Sequence, residues 1–250
     1  MKSTARYCNY IVALTILLFL SCSKEKTEKL VYRDLSFDPV SVLDQIPDGL
    51  KKSGNPYAKL VYNDIATLLD WGEFTNQLTL PGNALKQATG ATSETYRWNL
   101  NTGNLLLLIT LTFSTDDDDY RWQDKIQYGL GFANEYLTAR ENKAGTGGSL
   151  DYNTGWICGI DQLTDPCDPT YRHYEWVLHN DGSLAYIARM EKQTMLPVVK
   201  IEYRLVLSAD GSGNVTAYTG TEQYYHAGWN NQGNGVYTLH EEEVPITYEW

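Results

Sequence analysis

The sequence predicts a mainly β protein, an antiparallel hairpin meander with one N-terminal helix packed against it. Three observations carry that expectation. After residue 90 the hydrophobic period changes from 3.6 residues to 2. Tyr96–Leu100, Tyr174–Leu178 and Tyr203–Leu207 share one unit, an aromatic-x-apolar-x-Leu strand followed by a Gly-containing turn and a second strand. The turns carry Asn101-Thr-Gly103, Asp181-Gly182 and Asp210-Gly211, and glycine accepts the positive φ that hairpin turns require. Within each unit the aromatic and Leu positions share one face, while Arg97, Glu175 and Arg204 point to the other. One face is therefore buried and the other wet. The units recur at unequal spacing, which excludes a fixed-period solenoid. An open curved sheet, a sandwich and a barrel all satisfy the pattern.

The elements follow in chain order. Lys2 and Arg6 precede Ile11–Leu20, ten residues with one Thr and no charge. That run is too short to span a bilayer, which needs about 20 apolar residues, and it suits the core of a secretory signal. Phe19-Leu20-Ser21-Cys22 resembles the lipobox of bacterial lipoproteins. The resemblance implies removal of residues 1–21 as a signal peptide and acylation of Cys22, with acyl chains such as palmitate anchoring the protein to the membrane. Ser23, in place of Asp, argues against retention in an inner membrane, so the outer membrane is the expected location, on its periplasmic or surface side. Residues 22–34 are charged and poor in apolar content, as a solvated tether is. Residues 35–250 form one β-rich domain.

Cleavage before Cys22 leaves 229 residues, with 18 basic against 31 acidic side chains and a net charge of −13. That length suits one all-β domain with a substantial core. An acidic chain without a Lys/Arg cluster is electrostatically wrong for nucleic acid. An anionic lipid surface would also repel it, which leaves the lipid to hold the membrane.

The helix is expected near 56–71. Asn55 is a good N-cap and Pro56 suits the first helical position. Tyr57, Leu60, Val61, Ile65, Leu68 and Leu69 form one apolar stripe. Leu105–Leu111 is the most apolar run of the remaining chain and reads as a buried strand. Residues 133–141 and 148–153 form a further hairpin, and Tyr237–Glu241 with Val244–Trp250 the last. Cys158 and Cys167 are left as an even pair, and an oxidising compartment permits a disulfide between them.

No catalytic motif is present. There is no Gly-x-Ser-x-Gly elbow, His-Glu-x-x-His helix or phosphate-binding loop, and no cofactor is implied. Asp161, Asp165, Asp168 and Glu175 are the acids a glycoside hydrolase-type enzyme would draw on. Asp116, Asp117, Asp118 and Asp119 could offer oxygen ligands to Ca²⁺, but Tyr120 and Gln127 break the EF-hand pattern, and a solvated turn is the preferred reading. Tyr224, Tyr225, Trp229 and Asn230, with Trp156, are dense in rings and amides and are the candidate glycan surface. In layout, from Cys22 to Trp250, the chain resembles bacterial lipoproteins of no characterised activity that join a short helical part to a Trp/Tyr- and Gly-rich β part. A weaker likeness is to periplasmic lipid-carrier folds, which implies a lipid or small-molecule carrier. The leading expectation is a lipid-anchored, non-enzymatic binding or structural module of the cell envelope. Its expected partners are the membrane, through the lipid, and a glycan or an envelope protein.

Overall fold

The computed structural model describes residues 30–70, 78–102, 105–153, 171–193, 198–240 and 244–250. Contacts divide the chain into two units, Met1–Val31 and Tyr32–Trp250, and the fold described is that of the second. Among the described residues it contains thirteen strands: β1 (Leu85–Thr89), β2 (Ser93–Thr102), β3 (Leu105–Thr115), β4 (Asp119–Tyr128), β5 (Asn134–Asn142), β6 (Gly147–Asn153), β7 (Tyr171–Leu178), β8 (Leu184–Gln193), β9 (Val198–Leu207), β10 (Gly213–Thr219), β11 (Glu222–Trp229), β12 (Gly235–Leu239) and β13 (Ile246–Glu249). They form one antiparallel sheet in chain order, β1 to β13, each pairing with its sequence neighbours. The sheet is open, with β1 and β13 at its edges.

Alternation along the strands makes two faces of different chemistry. The core face carries Phe113, Trp122, Leu150, Tyr174, Trp176, Tyr186, Leu205, Val215, Ala227 and Tyr237, all buried. Large rings dominate it, and such rings supply the greatest buried apolar area per residue. Register shifts at Asp124/Lys125 and Ala217/Tyr218 interrupt the ladder.

Among the described residues, α1 (Pro39–Gln45), α2 (Asp48–Lys51) and α3 (Pro56–Leu68) precede the sheet. At the start of α3 the Asn55 side chain accepts the Tyr57 N–H at 2.8 Å. Ala58, Val61, Ile65 and Leu68 are buried, whereas Leu60 stands outside the stripe in solvent. Side chains of the sheet hold the helix. Tyr186 donates to the Leu68 carbonyl at 2.8 Å, Tyr225 donates to Asp64 at 2.6 Å, and Tyr57 stacks on Tyr248 with centroids 3.9 Å apart.

Ahead of α1, residues 32–37 run as a strap over the core face. Tyr32 meets Tyr96 and Phe113 edge-on, at 5.5 and 5.2 Å. Trp122 Nε1 donates to the Arg33 carbonyl at 2.9 Å, Ser36 Oγ to Glu141 at 2.6 Å, and Phe37 stacks on Trp176 at 4.8 Å. Tyr32 and Arg33, read from the sequence as tether, thus belong to the compact unit, and Arg33 pairs with the buried Glu141 at 3.3 Å. Further on, the chain rests against two hairpin turns through Gly211 and Gly233, at φ +84° and +89°. A Cβ at Gly211 would lie 2.7 Å from the Gln45 carbonyl oxygen, and one at Gly233 would lie 2.6 Å from the Gly49 carbonyl carbon. Trp229 and Trp250 brace the same turns, donating to the Gly211 and Gly233 carbonyls at 2.9 and 2.6 Å.

One run departs from its sequence expectation. Ile109 and Leu111 are buried, but Leu106 is 58% exposed, so Leu105–Leu111 is not a buried strand throughout. The strap reaches β3 at Phe113, and the run continues past that cover toward the β2–β3 hairpin.

Candidate functional site

On the solvent face, antiparallel register collects polar side chains into rows. Asp151 of β6 stands opposite His173 of β7, His173 opposite Arg189 of β8, Arg189 opposite Glu202 of β9, and Glu202 opposite Tyr218 of β10. Strands about 4.8 Å apart bring such neighbours within reach. His173 Nδ1 lies 2.8 Å from Asp151 Oδ1, and Tyr171 donates to the same oxygen at 2.5 Å. The other ring nitrogen of His173 is 3.8 Å from Glu175. Arg189 Nε donates to Glu202 at 2.7 Å and Arg204 Nε to the other Glu202 oxygen at 2.6 Å, while the Arg204 guanidinium sits 4.7 Å above the Tyr218 ring.

Partial burial would raise the Asp151 carboxyl, but hydrogen bonds from His173 and Tyr171 outweigh it and hold the group below the usual carboxylate range. Glu202 behaves likewise: burial opposes its charge, and Arg189 and Arg204 together keep it ionised to lower pH. Asp151 and Glu202 therefore carry negative charge at neutral pH, with the Arg189 guanidinium between them.

Two open hollows flank this row. One, of about 450 Å³, is lined by Thr112, Ser114, Gln123, Thr138, Ser149 and Asp151, with Arg121 and Arg140 at its side. The other, of about 300 Å³, is lined by Tyr171, His173, Arg189, Glu191, Lys200 and Glu202 among others. Asp151 lines the first and binds two residues that line the second, so the hollows share one hydrogen-bonded wall. Hydroxyls, amides and ion pairs stand in the lining beside Trp122 and Ala139 in the first hollow and Met190 and Ile201 in the second.

The residues singled out from sequence are dispersed. Tyr225 and Trp229 lie in the core, each hydrogen-bonded there. The stretch Tyr224–Asn230 therefore does not present a row of rings, because period-2 alternation turns alternate residues inward. Tyr224 is 41% exposed at the β10–β11 bulge, beside Tyr225. The Asn230 side chain accepts the Gln232 N–H at 2.9 Å and shapes a turn. Trp156, Cys22, Cys158 and Cys167 lie outside the described residues, as do Asp161, Asp165 and Asp168.

The acids 116–119 serve the β3–β4 turn. Asp116 accepts the Asp118 and Asp119 N–H groups at 3.1 and 2.9 Å and pairs with Arg121 at 2.5 Å, and Asp119 pairs with Arg140. Asp117 and Asp118 are exposed beside them. Among the described residues no group of three His, Cys, Asp or Glu is placed to hold a metal.

Sequence reasoning passed over Asp151 and Arg189. Their only local signal is polarity at the outward positions of apolar strands, which any wet face shares. No protein-family model matches the chain, and comparisons with the curated proteins and with the solved structures return no match.

Proposed function

We propose that this protein is a lipid-anchored module of the cell envelope, at the outer membrane, that binds a glycan on the solvent face of its sheet and is not itself a catalyst. The observation that carries the reading is the polar wall Asp151–Tyr171–His173 between two open hollows on that face. Thr112, Gln123 and Thr138 stand opposite one another on adjacent strands, presenting hydroxyl and amide groups in a row that hydroxyl-rich ligands can match. The opposite face favours the same side of the molecule. Under the strap it is filled by Phe37, Trp122 and Trp176, which gives a lipid-carrier reading less support than surface recognition.

Affinity electrophoresis in gels containing mannan, xylan or laminarin tests the reading. The protein is expected to be retarded by at least one polysaccharide. Thr138→Val should weaken that retardation about threefold to tenfold, the worth of one hydrogen bond, without lowering the melting temperature. Retardation that survives Thr138→Val and Gln123→Leu together would remove this face from the reading. Labelling with radioactive palmitate addresses the anchor separately: the wild type should be marked and Cys22→Ala should not. A hydrolase reading would centre on His173, held between Asp151 and Glu175. Turnover of the same polysaccharides that disappears in His173→Ala would replace the binding reading with it.

A further inference from the structure

At the end of the sheet formed by the β2–β3 and β4–β5 hairpins, apolar side chains stand in solvent. Leu130 is 105% exposed and Phe132 95%, in Gly129-Leu-Gly-Phe132 at the tip of the β4–β5 hairpin. Beside them Leu106 is 58%, Tyr128 44% and Leu100 40% exposed. Register sets Leu100 and Tyr128 on one face, since Leu100 pairs with Leu107 and Leu107 with Tyr128, while Leu106, paired with Asn101, turns to the other face of the same hairpin end.

Soluble surfaces scatter single apolar residues, whereas a contiguous cluster marks an interaction site. This one has two further properties. First, it is free of charge. Residues 98–112 and 126–134 contain no Asp, Glu, Lys or Arg, in a chain where 51 of 250 residues carry charge. Transfer of the tip into hydrocarbon therefore removes no ion from water. Second, apolar residues lead and an aromatic with a polar tip follows. Leu130 and Phe132 project furthest, and Tyr128, behind them, is of the residue type that settles at the headgroup level of a bilayer.

We propose that this hairpin end is a membrane contact: Leu130 and Phe132 insert among the acyl chains while Tyr128 rests at the interface. The proposal rests on the anchored reading of Cys22 only for what brings the bilayer near. Nine residues separate Cys22 from Tyr32, a reach of at most about 35 Å. Tyr32 packs on Tyr96, six residues before the end of β2, or about 20 Å along the strand from its hairpin. The tether therefore lets the tip meet the membrane that holds the lipid. A weak apolar contact becomes effective there, because the anchor makes it an intramolecular event.

The test uses the full chain carrying Phe132→Trp, mixed with vesicles of phosphatidylethanolamine and phosphatidylglycerol at about 3:1, with plain or brominated acyl chains. Emission is compared with that of the wild type, and sedimentation of the vesicles is followed in parallel. The introduced indole is expected to lose at least half its emission to brominated lipid, and Leu130→Ser in the same background should restore it. Quenching that persists in Cys22→Ala shows insertion without the lipid, and quenching confined to the lipidated chain shows insertion through it. Either result supports the proposal. Co-sedimentation without quenching leaves the anchor standing and overturns the tip. An indole whose emission shifts to the blue with protein concentration, before vesicles are added, also overturns it, because a second copy then covers the patch.

Discussion

The two ends of the sheet differ in what covers them. At one end the hairpin turns carry Gly211 and Gly233, residues 45–50 press on those glycines, and Trp229 and Trp250 donate to their carbonyls. At the other, Leu106, Leu130 and Phe132 stand in water. Both ends are rich in residues that a hydropathy scale scores as core. The difference teaches that burial in a single-layer sheet is decided by what crosses it. An antiparallel strand can leave either face wet, and here the strap and α3 choose which positions become interior. Three variants break or sharpen that contrast.

The largest effect belongs to the covered end. Trp229→Ala removes a ring packed over Gly213, where a Cβ would come 2.8 Å from it, together with a buried hydrogen bond to the Gly211 turn. A loss of about 3–5 kcal/mol is expected for a fully packed aromatic, or roughly 10 °C in melting temperature for a unit of this size. Thermal denaturation followed by circular dichroism reads it. A loss below about 1 kcal/mol would mean that the ring fills no essential space and that the turn end is held by the strap alone.

An intermediate effect is expected inside the core face, with a sign that depends on pH. Asp124 is 0% exposed. Its Oδ2 accepts the Tyr136 hydroxyl at 3.1 Å and its Oδ1 has no partner among the described residues. Burial pushes its carboxyl up to about 8, against the lowering effect of the Tyr136 hydrogen bond. A folded-state value above the unfolded one means the native protein holds a proton that the unfolded chain releases. Stability from this group is therefore complete below about pH 4 and is lost as pH rises toward 8. Asp124→Asn keeps the Tyr136 contact and cannot ionise. It should raise stability at pH 8 by on the order of 1–3 kcal/mol and change little at pH 4. Denaturation midpoints at the two pH values decide it, and an equal effect at both would show that Asp124 is solvated in the native state.

The fold was largely legible in the sequence because it is written in local rules. Tyr-x-Trp strands, Asp-Gly turns and the Asn55-Pro56 helix start are decided by neighbours a few residues away. What escaped is decided by residues far apart. Nothing near Tyr225 or Trp229 announces that Asp64 and Gly211 will receive their polar atoms, so both rings read as candidates for a ligand. Ser36 meets Glu141 across 105 residues, and the strap's place over the core depends on such contacts. Asp151, His173 and Arg189 were hidden for another reason. Each is an ordinary outward residue in its own strand, and only the register of three strands makes them a row.

The smallest effect on stability is expected where the chain is most apolar to the eye. Leu130→Ser with Phe132→Ser deletes two large hydrophobic side chains, a change that in the core would cost several kcal/mol. Here neither side chain has left water in the folded protein, so folding gains nothing from them that serine would forfeit. The hairpin itself is held by the β4–β5 ladder, whose backbone hydrogen bonds the substitutions leave untouched. The melting temperature should stay within about 2 °C, corresponding to less than about 0.5 kcal/mol. A drop as large as that of Trp229→Ala would place the tip in a second core and erase the contrast between the two ends. An unchanged melting temperature leaves Leu130 and Phe132 with no part in folding, and so assigns their exposure to whatever the tip touches.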